Sequence, residues 1–252
     1  MRVAALYDIH GNLPALRAVL AEVAQEGVGA VVIGGDVAAG PQPRETIEQL
    51  MALGQRARFV RGNADREVVD AYDQRRTRPE DMNGPAAKAA AFAAARITKN
   101  QRNFLADFRF TVALDVDGLG PVLFCHGSPR SDSEIITTRT PPERLGRILD
   151  GVTEPLVVGG HTHRQFDLHA GGHRFVNAGS VGSPYEGRAG AFWTLLGPEV
   201  TLRCTDYDIS AAAKELRETG YPGVEEMLDA SLLDPVDANE TATFFEGLAA
   251  DT

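Results

Sequence analysis

Through the first two thirds of the chain, short apolar runs end abruptly in Gly, Asp, Asn or His. Residues 2–7 run into Asp8-Ile9-His10-Gly11, 30–33 into Gly34-Gly35-Asp36, and 58–61 into Gly62-Asn63. Residues 122–125 run into His126-Gly127, and 156–158 into Gly159-Gly160-His161-Thr162-His163. Short runs rich in Val and Ile, without strict alternation, predict strands buried on both faces. Between the first strands the spacing changes to that of helices. Leu13, Leu16, Val19, Leu20 and Val23 predict a helix over 13–25, with Pro14 in its first turn and Gly27 and Gly29 beyond its end. A second helix is predicted over 44–53. Strand, helix, strand, helix argues for an α/β sheet with right-handed crossovers.

After Asn63 the rhythm breaks. Residues 65–108 hold no convincing strand, and the Ala-rich 85–99 and then 101–108 predict helices. Residues 110–116 and 121–125 predict a hairpin around Gly118 to Gly120, and 142–149 a helix. Two further hairpins follow, 165–169 with 174–176 and 191–196 with 200–205. These antiparallel strands imply a second sheet packed on the first. The fold class is therefore α/β, with two packed mixed sheets flanked by helices. Residues 209–219 and 223–229 predict helices. The acidic stretch 234–252 has a short helical pattern containing Phe244, Phe245 and Leu248, apolar enough to dock on the body or on a second subunit. The expected organisation is one domain over 1–206, with a helical insert at about 66–108, and a helical extension over 207–252 packed on it.

Composition narrows the function. The chain has 252 residues, 43% hydrophobic and 24% charged, ample for a sizeable core. Lys and Arg number 25 against 35 Asp and Glu, a net charge of −10. That balance gives no footprint for a nucleic acid polymer and works against an anionic membrane. The two cysteines exclude a disulfide framework, and Cys125, closing an apolar run, reads as a buried thiol. No stretch approaches the roughly 18 apolar residues of a membrane span, and the N-terminus lacks a signal-peptide pattern. A cytoplasmic location is the expectation, with oligomeric state open.

The chemistry sits where the strands end. Asp8, His10, Asp36, Asn63, His126, His161 and His163 all follow predicted strands, and four of the six histidines are among them. Ligands in open α/β sheets bind beyond the carboxyl ends of strands, so these donors are expected to converge. Seven donors exceed one tetrahedral zinc site and suit two metals sharing a carboxylate, for which Asp36 is the natural bridge. Mixed imidazole and carboxylate ligands favour Mn, Fe, Co, Ni or Zn over Mg or Ca. Two such ions can hold a hydroxide and clamp both oxygens of a displacement at phosphorus. Neither a Ser-His-Asp arrangement nor a phosphate-binding P-loop is present: Gly34-Gly35 lacks a following Gly-Lys-Ser/Thr.

Taken in order, Asp8-Ile9-His10-Gly11-Asn12, Gly35-Asp36, Gly62-Asn63, His126-Gly127 and Gly160-His161-Thr162-His163 resemble the signature of calcineurin-like metallophosphoesterases. The resemblance spans 1–182. The run Val176-Asn177-Ala178-Gly179-Ser180-Val181-Gly182 is similar to one in the small bacterial phosphodiesterases. It implies an α/β/β/α sandwich. It also implies one metal on Asp8, His10, Asp36 and His163 and another on Asp36, Asn63, His126 and His161, with Mn favoured. Among these, Asp36, Asn63 and His126 are the catalytic candidates. The implied activity is hydrolysis of a small phosphorylated substrate, a phosphodiester or a nucleotide phosphoanhydride. The rival is a binding module on the same fold that has lost catalysis; a degenerate member should lack ligands, and all seven are intact.

One departure bears on mechanism. The family often places a His after the Asn of the third motif as general acid, whereas this chain has Ala64 followed by Asp65. Asn12, Asn63 and Arg66 are the substrate-binding candidates. Asn12 equally suits a helix cap, and Arg66 an exposed helix position. Asp65 suits either a partner of the ligand loops or a helix-start acid. Asn177 to Gly182 suits a turn supporting the Gly160–His163 segment. Arg75, Arg76 and Arg78 form either a solvated loop or a cationic lip over the site.

Overall fold

A computed structural model describes residues 1–250 of the chain. Two five-stranded sheets pack face to face. The first is built from β1 (Val3–Leu6), β2 (Ala30–Ile33), β3 (Ala57–Phe59), β9 (Ala191–Leu196) and β10 (Val200–Thr205), in the order β10-β9-β1-β2-β3. The second is built from β4 (Val112–Val116), β5 (Gly120–Phe124), β6 (Leu156–Gly159), β7 (Gln165–Ala170) and β8 (His173–Ala178), in the order β4-β5-β6-β8-β7. β1, β2 and β3 run parallel, as do β5, β6 and β8. The third hairpin of the sequence reading belongs to the first sheet, not the second. β9 is buried along its whole length and apolar except at Thr194, and it pairs antiparallel with both β1 and β10.

Side-chain alternation on β1 divides the core. Val3, Ala5 and Tyr7 face the other sheet, where they join Val122, Phe124, Val158 and Val176. Ala4 and Leu6 face the helices α1 (Leu13–Val23) and α2 (Pro43–Met51), meeting Leu13, Leu16, Val19, Ile47 and Leu50. On the far side α6 (Pro142–Ile148) brings Leu145 and Ile148 onto Val157 and Phe175. The hydroxyl of Tyr7 donates to the Val158 carbonyl at 3.0 Å and ties the two sheets together at the end that carries the ligand loops.

α3 (Asn63–Asp73), α4 (Pro85–Ala94) and α5 (Lys99–Ala106) make the insert. α3 begins at a candidate ligand and buries only Ala64, Asp65, Val68 and Ala71, a face too weakly apolar to mark it in the sequence. The C-terminal segment folds as α7 (Ile209–Arg217), α8 (Val224–Leu228), a π-helical turn and α9 (Ala238–Ala250). α9 docks on the body through a polar anchor: Glu246 accepts from the hydroxyls of Thr137 (2.6 Å) and Thr140 (2.9 Å) and pairs with Arg144 (2.8 Å). Of the three apolar groups that suggested docking, Phe245 is half-buried with its ring 6.1 Å from that of Tyr185, whereas Phe244 and Leu248 stay exposed. Among the described residues no helix is long and apolar enough to cross a membrane.

Candidate metal centre

Five strand ends deliver the seven donors. Asp8 and His10 follow β1, Asp36 follows β2, Asn63 follows β3 and opens α3, His126 follows β5, and His161 and His163 follow β6. Six of them form two groups whose candidate ligand atoms lie within 4.8 Å of one another: Asp8, His10 and His163, and Asp36, His126 and His161. The groups touch. His126 Nε2 is 3.4 Å from Asp36 and 3.8 Å from Asp8, and His10 Nε2 is 3.7 Å from Asp36.

Backbone carbonyls set the histidine tautomers. A carbonyl only accepts, so the ring nitrogen facing it must carry the proton. Nδ1 of His10 donates to Ala39 (3.1 Å), that of His126 to Gly34 (2.8 Å) and that of His163 to Ser183 (2.6 Å). Each Nε2 is left with a lone pair aimed at the carboxylates. Nε2 of His10 and Nε2 of His163 lie 3.2 Å apart, an arrangement that repels unless a cation lies between the lone pairs.

The remaining polar atoms point the same way. Asp8 Oδ1, Asn63 Oδ1 and His126 Nε2 are buried with no hydrogen-bond partner. A buried carboxylate, amide oxygen and imidazole nitrogen left unpaired at one place are costly, and divalent cations bound there would satisfy them. Burial pushes Asp8 up to about 8, so a cation beside it is what would keep its carboxylate charged. Burial holds His161 down at about 4, the neutral form that binds metal. The residues present therefore fit a pair of divalent cations.

Further side chains hold the loops. Asp65, fully buried, accepts from the backbone N–H groups of Asp36 (2.8 Å), Val37 (2.9 Å) and Gly62 (3.0 Å), locking the second and third motifs together. Burial and the Asp36 charge push it up to about 7. Asn177 donates to the Gly160 carbonyl (2.7 Å) and to Thr162 Oγ1 (3.0 Å), supporting the His161–His163 segment. Ser180 donates to the Asp8 carbonyl at 2.7 Å, and the Gly182 N–H reaches the same oxygen at 3.0 Å. Nothing in the sequence singled out Ser183 or Tyr185, yet Ser183 receives His163, and the Tyr185 ring lies flat on the His163 ring at 4.9 Å.

Two substrate-binding candidates are placed differently. Asn12 is fully buried; its Oδ1 caps α1 through the Ala15 N–H (3.2 Å), and its Nδ2 donates to the Gly182 carbonyl (2.9 Å). It braces the first loop and has no free group for a phosphate. Arg66 forms a two-pronged pair with Asp132, both bonds 3.1 Å, linking α3 to the loop after β5. Neither lines the cavity of about 590 Å³ that opens over the centre, whereas His10, Asp36, Asn63 and His163 do. The insert reaches that cavity through Glu67 of α3 and residues 84–89, and Arg75, Arg76 and Arg78 do not line it.

A family model of the calcineurin-like phosphoesterase superfamily domain matches residues 1–196. The metallophosphoesterase of Sphaerobacter thermophilus is similar in structure, with a TM-score of 0.72 and 25% identity, covering 91% of this chain and 98% of its own. A hypothetical protein of Pyrococcus horikoshii OT3 shares the fold, with a TM-score of 0.77 and 21% identity over 91% of this chain and 96% of its own. No protein of curated function matches the sequence. The family match, over more than half the chain and all five ligand motifs, places it in the calcineurin-like phosphoesterase superfamily as a metal-dependent phosphoesterase.

Proposed function

We propose that the protein hydrolyses phosphodiesters or nucleotide phosphoanhydrides at a dinuclear centre, with Mn the favoured ion. Asp8, His10, Asp36 and His163 would hold one cation, and Asp36, Asn63, His126 and His161 the other. Residues 1–206 would form the catalytic unit, with 207–252 as an extension packed on it. The observation that carries this reading is the set of unpaired buried atoms, Asp8 Oδ1, Asn63 Oδ1 and His126 Nε2, beside histidines whose Nδ1 protons are tied to carbonyls.

When bound, such a metal pair lowers the pKa of water and neutralises charge building on the phosphate. The chain does the rest. The carbonyls of Ala39, Gly34 and Ser183 fix which imidazole nitrogen faces inward. The Ala64 N–H donates to Asp36 Oδ1 at 2.8 Å and leaves Oδ2 toward His10 and His126, which orients the bridging carboxylate. Ala64 borders the cavity and has no side-chain proton to give a leaving group. Leaving groups that need little protonation, aryl oxides or phosphate esters, are therefore favoured over simple alkoxides.

The test is turnover by metal-stripped protein against aryl diesters, nucleotides and alkyl monoesters, with each ion returned singly. Activity should vanish on stripping and return best with Mn, toward the diesters and anhydrides. Undiminished activity in the stripped protein would overturn the dinuclear mechanism.

A further inference from the structure

The cavity has two kinds of surface. Its floor is the polar centre. Its outer wall comes from two segments far apart in the chain, 85–89 at the start of α4 and 221–231 around α8. That wall is largely apolar, with Ala86, Ala89, Tyr221, Pro222 and Met227 among its members. Tyr221 is held edge-on against buried Phe92, ring centres 5.2 Å apart at 72°, so its ring is fixed before any ligand arrives. A volume of about 590 Å³ accommodates a phosphate with one sizeable organic group.

Charge on the wall argues further. Besides the proposed ligands, Glu67, which hydrogen-bonds Asn63, and Glu226 line the cavity, and Lys88 is the one lysine or arginine among the described residues that do so. A polyphosphate carries several negative charges beyond the reacting phosphorus. These would meet two carboxylates and a single ammonium. A diester carries one negative charge, which the centre itself takes.

We infer that the wall formed by Tyr221, Met227 and the start of α4 is a specificity pocket for a planar apolar substituent of a singly charged phosphodiester. The inference rests on the phosphoesterase reading and chooses within it. Tyr221 and Met227 are specificity-determining residues, since they select the substituent and do not touch the phosphorus.

The experiment uses the full chain loaded with Mn and two probes of equal charge, diphenylphosphinate and dimethylphosphinate, whose P–C bonds resist hydrolysis. Calorimetry should show the diphenyl compound binding at least about 30-fold more tightly, the scale of burying one aromatic ring. Met227→Ala and Tyr221→Ala should each cut that ratio about fivefold or more, and Tyr221→Phe, which keeps the ring and its packing, should restore most of it. In kinetics, kcat/KM for bis(4-nitrophenyl) phosphate should exceed that for a nucleoside triphosphate, and Glu226→Gln should narrow the gap. Equal binding of the two phosphinates, or a ratio that survives both Ala substitutions, overturns the pocket. A triphosphate cleaved as fast as the diester overturns the charge argument. If no phosphate ester is cleaved with any metal, the phosphoesterase reading fails first and the pocket with it.

Discussion

On the cavity floor Asp8, His10, Asp36, His161 and His163 all hold positive φ, between 45° and 68°, whereas no residue of the wall segments 85–89 and 221–231 does. For residues with a Cβ that conformation costs on the order of 1–2 kcal/mol each. Five such positions together approach the net stability of a whole domain. They persist because the surrounding hydrogen bonds over-determine them: Asp65 on three N–H groups, Asn177 on the loop after β6, Ser180 and Gly182 on the Asp8 carbonyl. The wall is built from the start of α4, the short α8 and the π-helical turn after it, without positive φ in those segments, and it is tied to the floor by contacts such as the Ser183–Ser231 hydroxyl pair at 2.9 Å. The floor is built so that its side chains stay put, and the wall so that its side chains can differ without disturbing the centre.

The largest effect should follow from the residue that the two proposed ion sites share. Asp36→Asn removes the one negative charge common to both and should lower kcat by about 10³-fold, the scale of deleting a central electrostatic group. Asn12→Ala loses a cap and a brace but no ligand, so it should cost about 1–2 kcal/mol of stability with a smaller kinetic loss. Steady-state kinetics with metal analysis separates the two. Unchanged turnover at full occupancy in the Asn variant would remove Asp36 from the centre.

Gly62 tests how tightly the floor is packed. Its φ of −88° suits any residue, so backbone strain is not at issue. A Cβ there would come within 2.0 Å of Asp36 Oδ1 and 2.5 Å of the Asp36 nitrogen. Gly62→Ala should displace the Asp36 carboxylate and weaken metal binding about 10–100-fold, as losing an orienting partner does. Ala86→Gly, on the wall, should leave metal affinity unchanged. Metal titrations of both variants decide whether floor and wall are independent.

Metal removal should make the floor sensitive to pH. Asp8 is pushed up to about 8 by burial, and Asp65 up to about 7 by burial and the Asp36 charge. A carboxyl whose folded value lies above its unfolded one contributes fully in acid and loses that contribution as pH rises through the folded value. The stripped protein should therefore lose stability from about pH 4 to 8, by up to about 1.4 kcal/mol per pH unit for each group until its folded value is passed, while the loaded protein, with Asp8 held charged by a cation, melts on a flatter profile. Melting temperatures across that range, with and without chelator, read the difference. A stripped protein that grows more stable toward alkaline pH would reverse the assignment.

The floor was legible in the sequence because each donor closes a strand. A strand end fixes where its next residue lies, and Asp8-Ile9-His10 or His161-Thr162-His163 carries that position in plain order. The parallel half of the first sheet was legible for the same reason. The β9–β10 hairpin was not, because an apolar run records that it is buried but not which sheet buries it. Asn12 and Arg66 were ambiguous because the amide and the guanidinium serve a cap, a salt bridge or a phosphate equally well, and only their neighbours Gly182 and Asp132 decide. The wall was invisible. Residues 85–89 and 221–231 meet only in the folded chain, and Tyr221 carries no local pattern that points to a cavity.

The smallest effect should come from the residues that look most like a substrate contact. Arg75, Arg76 and Arg78 form a cationic cluster in the insert, and in a protein of net charge −10 such a cluster invites an anionic ligand. None of the three lines the cavity; the insert presents Glu67 and 84–89 there instead. Arg75 and Arg76 are exposed, so water and salt screen them from a phosphate bound at the centre. Replacing all three by Ser should change KM for an aryl diester by less than about twofold at physiological ionic strength. Tyr221→Ala, a single uncharged change on the wall, should change it more. If the triple variant instead raised KM severalfold, with metal affinity intact, the insert would guide substrate from a distance, and the division between a fixed floor and a selecting wall would have to include a charged approach.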